Sequence, residues 1–259
     1  MYYLFFFTAF ILLLPRLASA EIRTEVIEYK QDGTVLEGYL AYDTTMKGKR
    51  PGVLVIHEWV GINDYIRKRT EQLAKLGYVA FAADIYGKGV RPKDPKEAAA
   101  QAKIHKSDRA LMRARAMAGL EVLKKQQLTD SKRLAAIGYC FGGTAALELA
   151  RSGADIAGVV SFHGGLDTPS PADARNIKAK ILALHGSEDP VVPLKEVLAF
   201  QDEMRSAGVD WQMILYGGAL HSFTNPASGN KRDRGVAYDQ KADRRSWEAM
   251  MLFFKEIFH

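Results

Sequence analysis

The chain contains a single cysteine, Cys140, among its 259 residues. One thiol cannot form an intrachain disulfide, so the sequence excludes a small domain that is held together by disulfide bonds. The hydrophobic content of 47% is instead sufficient for one sizeable core. A lone cysteine is most often a small buried apolar residue. A chemical role for Cys140 therefore has to be argued from the residues around it in the sequence.

The sequence also lacks the short motifs that bind common cofactors. No G-x-G-x-x-G follows a predicted strand, and no phosphate-binding loop is present. His57, His163 and His185 each end a predicted strand, but their spacing is not that of a zinc site, and a structural role fits them better. We therefore expect neither a cofactor nor a metal.

No segment carries a strong excess of one charge. The net charge is +6, and the basic residues are scattered along the chain. The densest basic stretch, Arg67-Lys68-Arg69, lies within a predicted amphipathic helix, where it is typical of a solvent-exposed face. The sequence therefore predicts no nucleic-acid partner.

The hydrophobic run at the N-terminus lacks a preceding lysine or arginine. Residues 2–14 are almost wholly apolar, and the small-x-small pattern Ala18-Ser19-Ala20 follows them. This order is typical of a signal peptide that is cleaved near Ala20, and the run is short for a membrane span. We expect residues 1–20 to be removed and residues 21–259 to form a single exported domain, periplasmic or secreted, without stable membrane association. An uncleaved anchor is the alternative.

Strand and helix patterns alternate along the rest of the chain. Residues 22–30 and 34–42 alternate between apolar and polar side chains around Asp32-Gly33, which predicts a β-hairpin. Short apolar runs and amphipathic segments then follow in turn, which predicts a mainly parallel sheet with helices on both faces and the antiparallel hairpin at one edge. The predicted strands are 51–57, 78–84, 133–139, 156–163, 179–186 and 210–216, and the predicted helices are 64–76, 95–125 (one or two helices), 142–151, 194–207 and 238–257.

Cys140 lies where a predicted strand turns into a helix. The segment Gly138-Tyr139-Cys140-Phe141-Gly142-Gly143 has the spacing G-x-nucleophile-x-G, in which glycines permit a strained turn close to the neighbouring strand. The first turn of a helix also favours a thiolate. A glycine-rich turn with an incidental cysteine is the alternative interpretation.

Two residues after later strands complete the order that is expected of a catalytic triad. Asp189 follows strand 179–186, and His221 follows strand 210–216. Taken separately, Asp189 is typical of a helix start and His221 of a polar loop. Together with Cys140, in the order nucleophile, acid, histidine and each after its own strand, they predict a Cys-His-Asp triad.

Six segments of the chain form motifs, which are HEWVGIN (57–63), DIYGK (84–88), GYCFGG (138–143), SFHGG (161–165), HGSEDPVVP (185–193) and HSFTNP (221–226). Together these motifs resemble the dienelactone hydrolase family, which consists of α/β-hydrolases with a cysteine nucleophile. The resemblance covers nearly all of residues 21–259 and implies an α/β-hydrolase fold. It also implies hydrolysis of small carboxylic esters or lactones through an acyl-cysteine. The cysteine elbow combined with H-E-W-x-G distinguishes the sequence from serine esterases of similar fold.

The resemblance implies further roles for individual residues. Glu58 would contact the resting thiol of Cys140 and take part in forming the thiolate. The backbone amides of Trp59 and Phe141 would form the oxyanion hole. Two backbone donors at these places also match the general arrangement of this fold, in which one donor follows the nucleophile and the other lies after an early strand.

The expected substrate-binding positions depart from the family pattern. Family members that act on dienelactone bind its carboxylate with two arginines, and the corresponding residues here are Lys88 and Asn225. This difference predicts a substrate other than dienelactone. Tyr86 and Phe223, with Trp59, are candidates for an aromatic lining of the pocket.

The same triad would also serve a thioesterase or a peptidase. A non-catalytic binding protein that retains the fold is the alternative from another class, but the presence of all four residues Glu58, Cys140, Asp189 and His221 argues against it. The expected partner is a small-molecule ester or lactone. The oligomeric state is left open, with a monomer favoured.

Overall fold

The computed structural model describes Met1 and residues 20–259. The predicted signal peptide falls almost wholly on residues 2–19 and lies outside the described residues, so its cleavage and the export of the protein stay predictions. Among the described residues, no helix is long and apolar enough to cross a membrane.

Strands and helices alternate along the described chain, close to the predicted bounds. Three short 3-10 helices interrupt the loops at Pro171–Asn176, Pro226–Ser228 and Arg232–Arg234. The strands are β1 (Ile22–Gln31), β2 (Thr34–Asp43), β3 (Arg50–Ile56), β4 (Val79–Ala83), β5 (Thr129–Tyr139), β6 (Gly158–Phe162), β7 (Lys180–Gly186) and β8 (Trp211–Tyr216). The helices are α1 (Asp64–Lys75), α2 (Pro95–Ser107), α3 (Arg109–Lys124), α4 (Phe141–Arg151), α5 (Leu194–Ala207) and α6 (Gln240–Ile257).

The strands form one sheet in the order β1-β2-β4-β3-β5-β6-β7-β8. β1 pairs antiparallel with β2, and β2 pairs antiparallel with β4. The remaining neighbours are parallel, from β4 through to β8. The predicted α/β fold, with a mainly parallel sheet and an antiparallel hairpin at its edge, is confirmed.

The two faces of the sheet account for the apolar runs in the central strands. In β3, Leu54 and Ile56 belong to the core that includes α3, α4 and α5, whereas Val53 and Val55 belong to the core that includes α1 and α6. A central strand that is covered on both faces needs apolar side chains at successive positions.

Capping side chains set several helix boundaries. Asp94 and Asp108 accept backbone hydrogen bonds at the starts of α2 and α3, so the helical segment predicted over 95–125 divides at Asp108. Asp239 caps α6, which therefore begins at Gln240 rather than at residue 238. Because the parallel strands end at one edge of the sheet, the loops after β3, β5, β7 and β8 meet there.

Candidate active site

Cys140 occupies a strained position between β5 and α4. Its backbone has φ 53° and ψ −117°, a region that residues with a side chain rarely adopt. A Cβ at Gly138 would lie 1.9 Å from the carbonyl oxygen of Gly142, and one at Gly142 would lie 2.2 Å from that of Ile56. The two glycines therefore allow the start of α4 to pack directly on β3, and the turn presents the Cys140 thiol to a cavity.

The three residues of the predicted triad lie together at this edge of the sheet. His221 Nε2 is 3.1 Å from Cys140 Sγ, and His221 Nδ1 is 2.8 Å from Asp189 Oδ2. The other carboxylate oxygen of Asp189 accepts backbone hydrogen bonds from Val191 and Val192, at 2.8 and 3.1 Å. Backbone amides of its own loop thus hold the Asp189 carboxylate in place, and the carboxylate orients the imidazole of His221.

The protonation of His221 follows from its two polar neighbours. Burial by itself lowers the pKa of the imidazole, but the charge of Cys140 and the hydrogen bond with Asp189 raise it to about 10. His221 is therefore an imidazolium at neutral pH, and its charge lies beside the sulfur of Cys140.

Glu58 lines the same cavity, but its hydrogen bonds are not those that the resemblance implied. Its carboxylate accepts from Ser222 Oγ at 3.0 Å and from Asn225 Nδ2 at 2.6 Å. Burial raises the pKa of Glu58, and these two hydrogen bonds oppose the rise. The thiol of Cys140 instead contacts His221. No hydrogen bond joins Glu58 to the thiol among the described residues, and the part that Glu58 would take in forming the thiolate stays a prediction.

The two amides that the resemblance assigned to an oxyanion hole are free to bind a ligand. Phe141 is the first residue of α4, where a backbone N–H has no partner within the helix. Trp59 lies in the loop after β3, and its side chain lines the cavity. Neither N–H has a hydrogen-bond acceptor within residues 20–259.

Lys88 and Asn225, two of the predicted substrate-binding residues, do not line the cavity in the described part of the chain. Lys88 is exposed and forms an ion pair with Glu28. Asn225 is buried and donates to Glu58. The polar group of each is bound to a residue that is distant in sequence, and substrate binding at these two positions stays a prediction.

The two predicted aromatic residues also belong to the scaffold. Phe223 is fully buried, with its ring centroid 5.1 Å from that of His163 and 5.4 Å from that of Tyr216. Tyr86 donates its hydroxyl to the carbonyl oxygen of Trp59 at 3.0 Å. Phe223 and Tyr86 therefore support the loops of the site and are not part of the described lining of the cavity, and substrate binding by them stays a prediction.

The cavity beside Cys140 has a volume of about 470 Å³. Its walls include residues that sequence reasoning missed, because they come from helices and loops without a recognisable motif. The charged ones are Lys106 at the end of α2 and Glu196 in α5. The apolar ones are Ala102, Val191, Val192 and Val236.

The strand-ending histidines are buried, as expected of structural residues. His57 is held between the backbones of Glu58 and Ile85, and burial lowers its pKa to about 4. His163 Nε2 is 2.7 Å from Thr224 Oγ1, and burial lowers its pKa as well. His57 and His163 are thus uncharged at neutral pH.

Comparison with known proteins decides the family. The model of the dienelactone hydrolase family matches residues 36–258. The chain belongs to the dienelactone hydrolase family. It is therefore an α/β-hydrolase of the kind that cleaves esters or lactones, and the predicted family, fold and class of reaction are confirmed.

Similar proteins match this family member over most of their length. Protein usf of Aquifex pyrophilus is 30% identical over 241 residues, which cover 90% of this chain and 98% of that protein. The solved structure named m3DLH is 44% identical, with a TM-score of 0.89 over 92% of this chain and 99% of that one. A dienelactone hydrolase-like promiscuous phosphotriesterase from metagenomic libraries is 39% identical, with a TM-score of 0.87 and the same coverage.

Proposed function

We propose that the protein hydrolyses small carboxylic esters or lactones by covalent catalysis, with Cys140 as the nucleophile, His221 as the acid and base, and Asp189 as the residue that orients His221. The observation that carries this proposal is the continuous contact from Cys140 Sγ to His221 Nε2 and from His221 Nδ1 to Asp189 Oδ2, at 3.1 and 2.8 Å, beside a cavity. A thiolate and an imidazolium in this geometry are prepared for acyl transfer.

The proposed cycle has two halves. The Cys140 thiolate attacks the carbonyl carbon, while the amides of Trp59 and Phe141 donate to the developing oxyanion. The imidazolium of His221 then protonates the leaving alkoxide, which leaves an acyl-cysteine. Neutral His221 then takes a proton from water, and the hydroxide attacks the thioester carbonyl. The bond to sulfur breaks, which releases the carboxylic acid and restores the Cys140 thiolate beside the imidazolium.

The chemistry of the thiolate also distinguishes the candidate substrates. A thiolate is a much better leaving group than an amine, so an amide tetrahedral intermediate tends to expel the thiolate and return to substrate. Activated esters, enol esters, lactones and thioesters do not have this disadvantage. The arrangement therefore supports an ester or lactone hydrolase over a peptidase, and a thioesterase is the second candidate on the same residues.

A burst experiment with p-nitrophenyl acetate tests the covalent step. We expect a rapid release of nitrophenol equal to one equivalent of enzyme, and an acetyl group on the peptide that contains Cys140 in an acid-quenched sample. Pretreatment with one equivalent of iodoacetamide should abolish both signals. Steady turnover by the alkylated enzyme would contradict the proposal.

Lys106 gives the proposed substrate site a positive charge. Its Nζ is 3.5 Å from Asp167 Oδ1, while Asp167 Oδ2 is 2.6 Å from Arg109 Nη2, so one carboxylate is shared by two cations. Glu58 and Glu196 also line the cavity, but both accept hydrogen bonds from protein groups. We propose that Lys106, rather than Lys88, attracts the anionic group of a charged substrate.

The Lys106→Met variant tests this assignment. We expect kcat/KM for p-nitrophenyl hemiglutarate, which carries a free carboxylate, to fall about five-fold more than kcat/KM for p-nitrophenyl acetate, as loss of a partly exposed ion pair of about 1 kcal/mol implies. Lys103→Met, on the exposed face of the same helix, is the matched control and should change neither value. Equal losses for both esters would exclude a charge-specific role of Lys106.

A further inference from the structure

The orientation of the Trp59 amide is fixed by the carbonyl group on the other side of the same peptide bond. The Glu58 C=O and the Trp59 N–H belong to one planar trans peptide group, so they point in opposite directions. Any contact that holds the Glu58 carbonyl on one side of the loop therefore holds the Trp59 N–H on the other side. The Glu58 carbonyl has two such contacts, from the His57 ring at 2.6 Å and from the Gly61 amide at 3.2 Å.

The hydrogen bonds of His57 also determine which of its nitrogens carries the proton. Its Nε2 is 3.1 Å from the backbone nitrogen of Ile85, which can only donate, so Nε2 is an acceptor. The proton of the neutral ring is therefore on Nδ1, which donates to the Glu58 carbonyl. The ring has no exposed surface, and it is anchored by the loop after β4, the strand that pairs with β3.

Tyr86 holds the next carbonyl along the loop. Its hydroxyl donates to the Trp59 carbonyl at 3.0 Å, and its own backbone amide is bound by Asp84 Oδ1 at 3.0 Å. The rings of His57 and Tyr86 are in edge contact, with centroids 4.8 Å apart, and the ring of Phe141 stacks on His57 at 5.9 Å. The peptide groups on both sides of Trp59 are thus fixed by one buried aromatic cluster.

We infer that His57 is a positioning residue, which orients the Trp59 amide toward the oxyanion through its hydrogen bond to the Glu58 carbonyl, with Tyr86 as a second support. This inference rests on the proposed function, because the Trp59 amide has a catalytic role only if an oxyanion forms during the reaction. Preorganised donors of this kind act mainly in the transition state. Loss of the support therefore lowers kcat rather than raising KM.

Two substitutions separate positioning from simple stability. His57→Leu removes both hydrogen bonds of the ring, whereas His57→Gln retains a side-chain donor and acceptor. For p-nitrophenyl acetate, we expect His57→Leu to lower kcat about 10²-fold, close to the loss that follows removal of one oxyanion donor, with little change in KM. His57→Gln should recover part of that loss. Thr70→Val is the matched control, because Thr70 is equally buried and loses one hydrogen bond, to the Ile66 carbonyl within α1, away from the cavity; its kcat should stay within about three-fold of wild type.

The rate of alkylation by iodoacetamide is the deciding measurement. Alkylation needs the thiolate of Cys140 but forms no oxyanion, so His57→Leu should react at the wild-type rate while ester hydrolysis falls. Equal losses of alkylation and hydrolysis, or an unchanged kcat, would overturn the inference. A wild-type enzyme that is alkylated but cleaves no ester would overturn the proposed function itself. If the wild type does cleave the ester, the comparison with His57→Leu tests the inference about His57 alone.

Discussion

Replacement of Cys140 with alanine is expected to lower kcat/KM for p-nitrophenyl acetate by about 10⁴-fold or more, in line with losses at the nucleophile of other hydrolases that form an acyl-enzyme. The thiol is the group that contacts His221 Nε2, at 3.1 Å, so the variant loses both the nucleophile and the partner of the imidazolium. The residual rate would reflect only the oxyanion donors and substrate binding. Stopped assays with the purified variant measure the ratio directly.

The comparison with Cys140→Ser shows whether the chemistry depends on sulfur. His221 can accept a proton from a serine hydroxyl, but a hydroxyl is not ionised by an adjacent imidazolium at neutral pH, so we expect activity between those of wild type and Cys140→Ala. The thermal midpoints of all three proteins should agree within a few degrees, because Cys140 is only partly buried. A Cys140→Ala variant as active as wild type would refute covalent catalysis at this residue.

Replacement of Arg151 with methionine is expected to destabilise the fold by about 3–5 kcal/mol, the cost of leaving the buried carboxylate of Glu203 without its partner. Arg151 has no exposed side-chain surface and binds Glu203 through two parallel hydrogen bonds of 2.7 Å. It also donates to Glu148 at 3.1 Å and to the Leu166 carbonyl at 3.1 Å. The ion pair with Glu203 therefore connects α4 to α5, and the hydrogen bond to the Leu166 carbonyl connects α4 to the loop after β6. Urea unfolding of both proteins, followed by circular dichroism, measures the difference.

A matched control and a double variant test the cause of this loss. Arg205→Met removes an exposed arginine of α5, which pairs with the exposed Asp202, and should change the free energy of unfolding by less than about 1 kcal/mol. Arg151→Met combined with Glu203→Met removes both charges and should recover much of the stability. A loss below about 1 kcal/mol for Arg151→Met alone would mean that the buried pairs do not stabilise the fold.

The sequence by itself determined the architecture and the three proposed triad residues. Strand and helix periods are local properties, so the parallel sheet, its edge hairpin and the order of the helices follow from short windows of sequence. The positions of Cys140, Asp189 and His221 follow as well, because the parallel strands bring their C-terminal loops to one edge. The glycines around Cys140 predict a strained turn, and the backbone of Cys140 has a φ of 53°.

Only the tertiary structure decided where loop side chains point. Asn225 and Glu58 are 167 positions apart in the chain, and nothing in the sequence indicates the hydrogen bond that joins their side chains. Lys106 lines the cavity from the end of α2, in a segment without any motif. In a strand, successive side chains point to opposite faces of the sheet because of the backbone geometry. A loop has no such rule, so the direction of each loop side chain depends on partners that are distant in the sequence. For this reason the reaction class could be predicted from the sequence, whereas the walls of the cavity beside Cys140 and the proposed role of His57 could not.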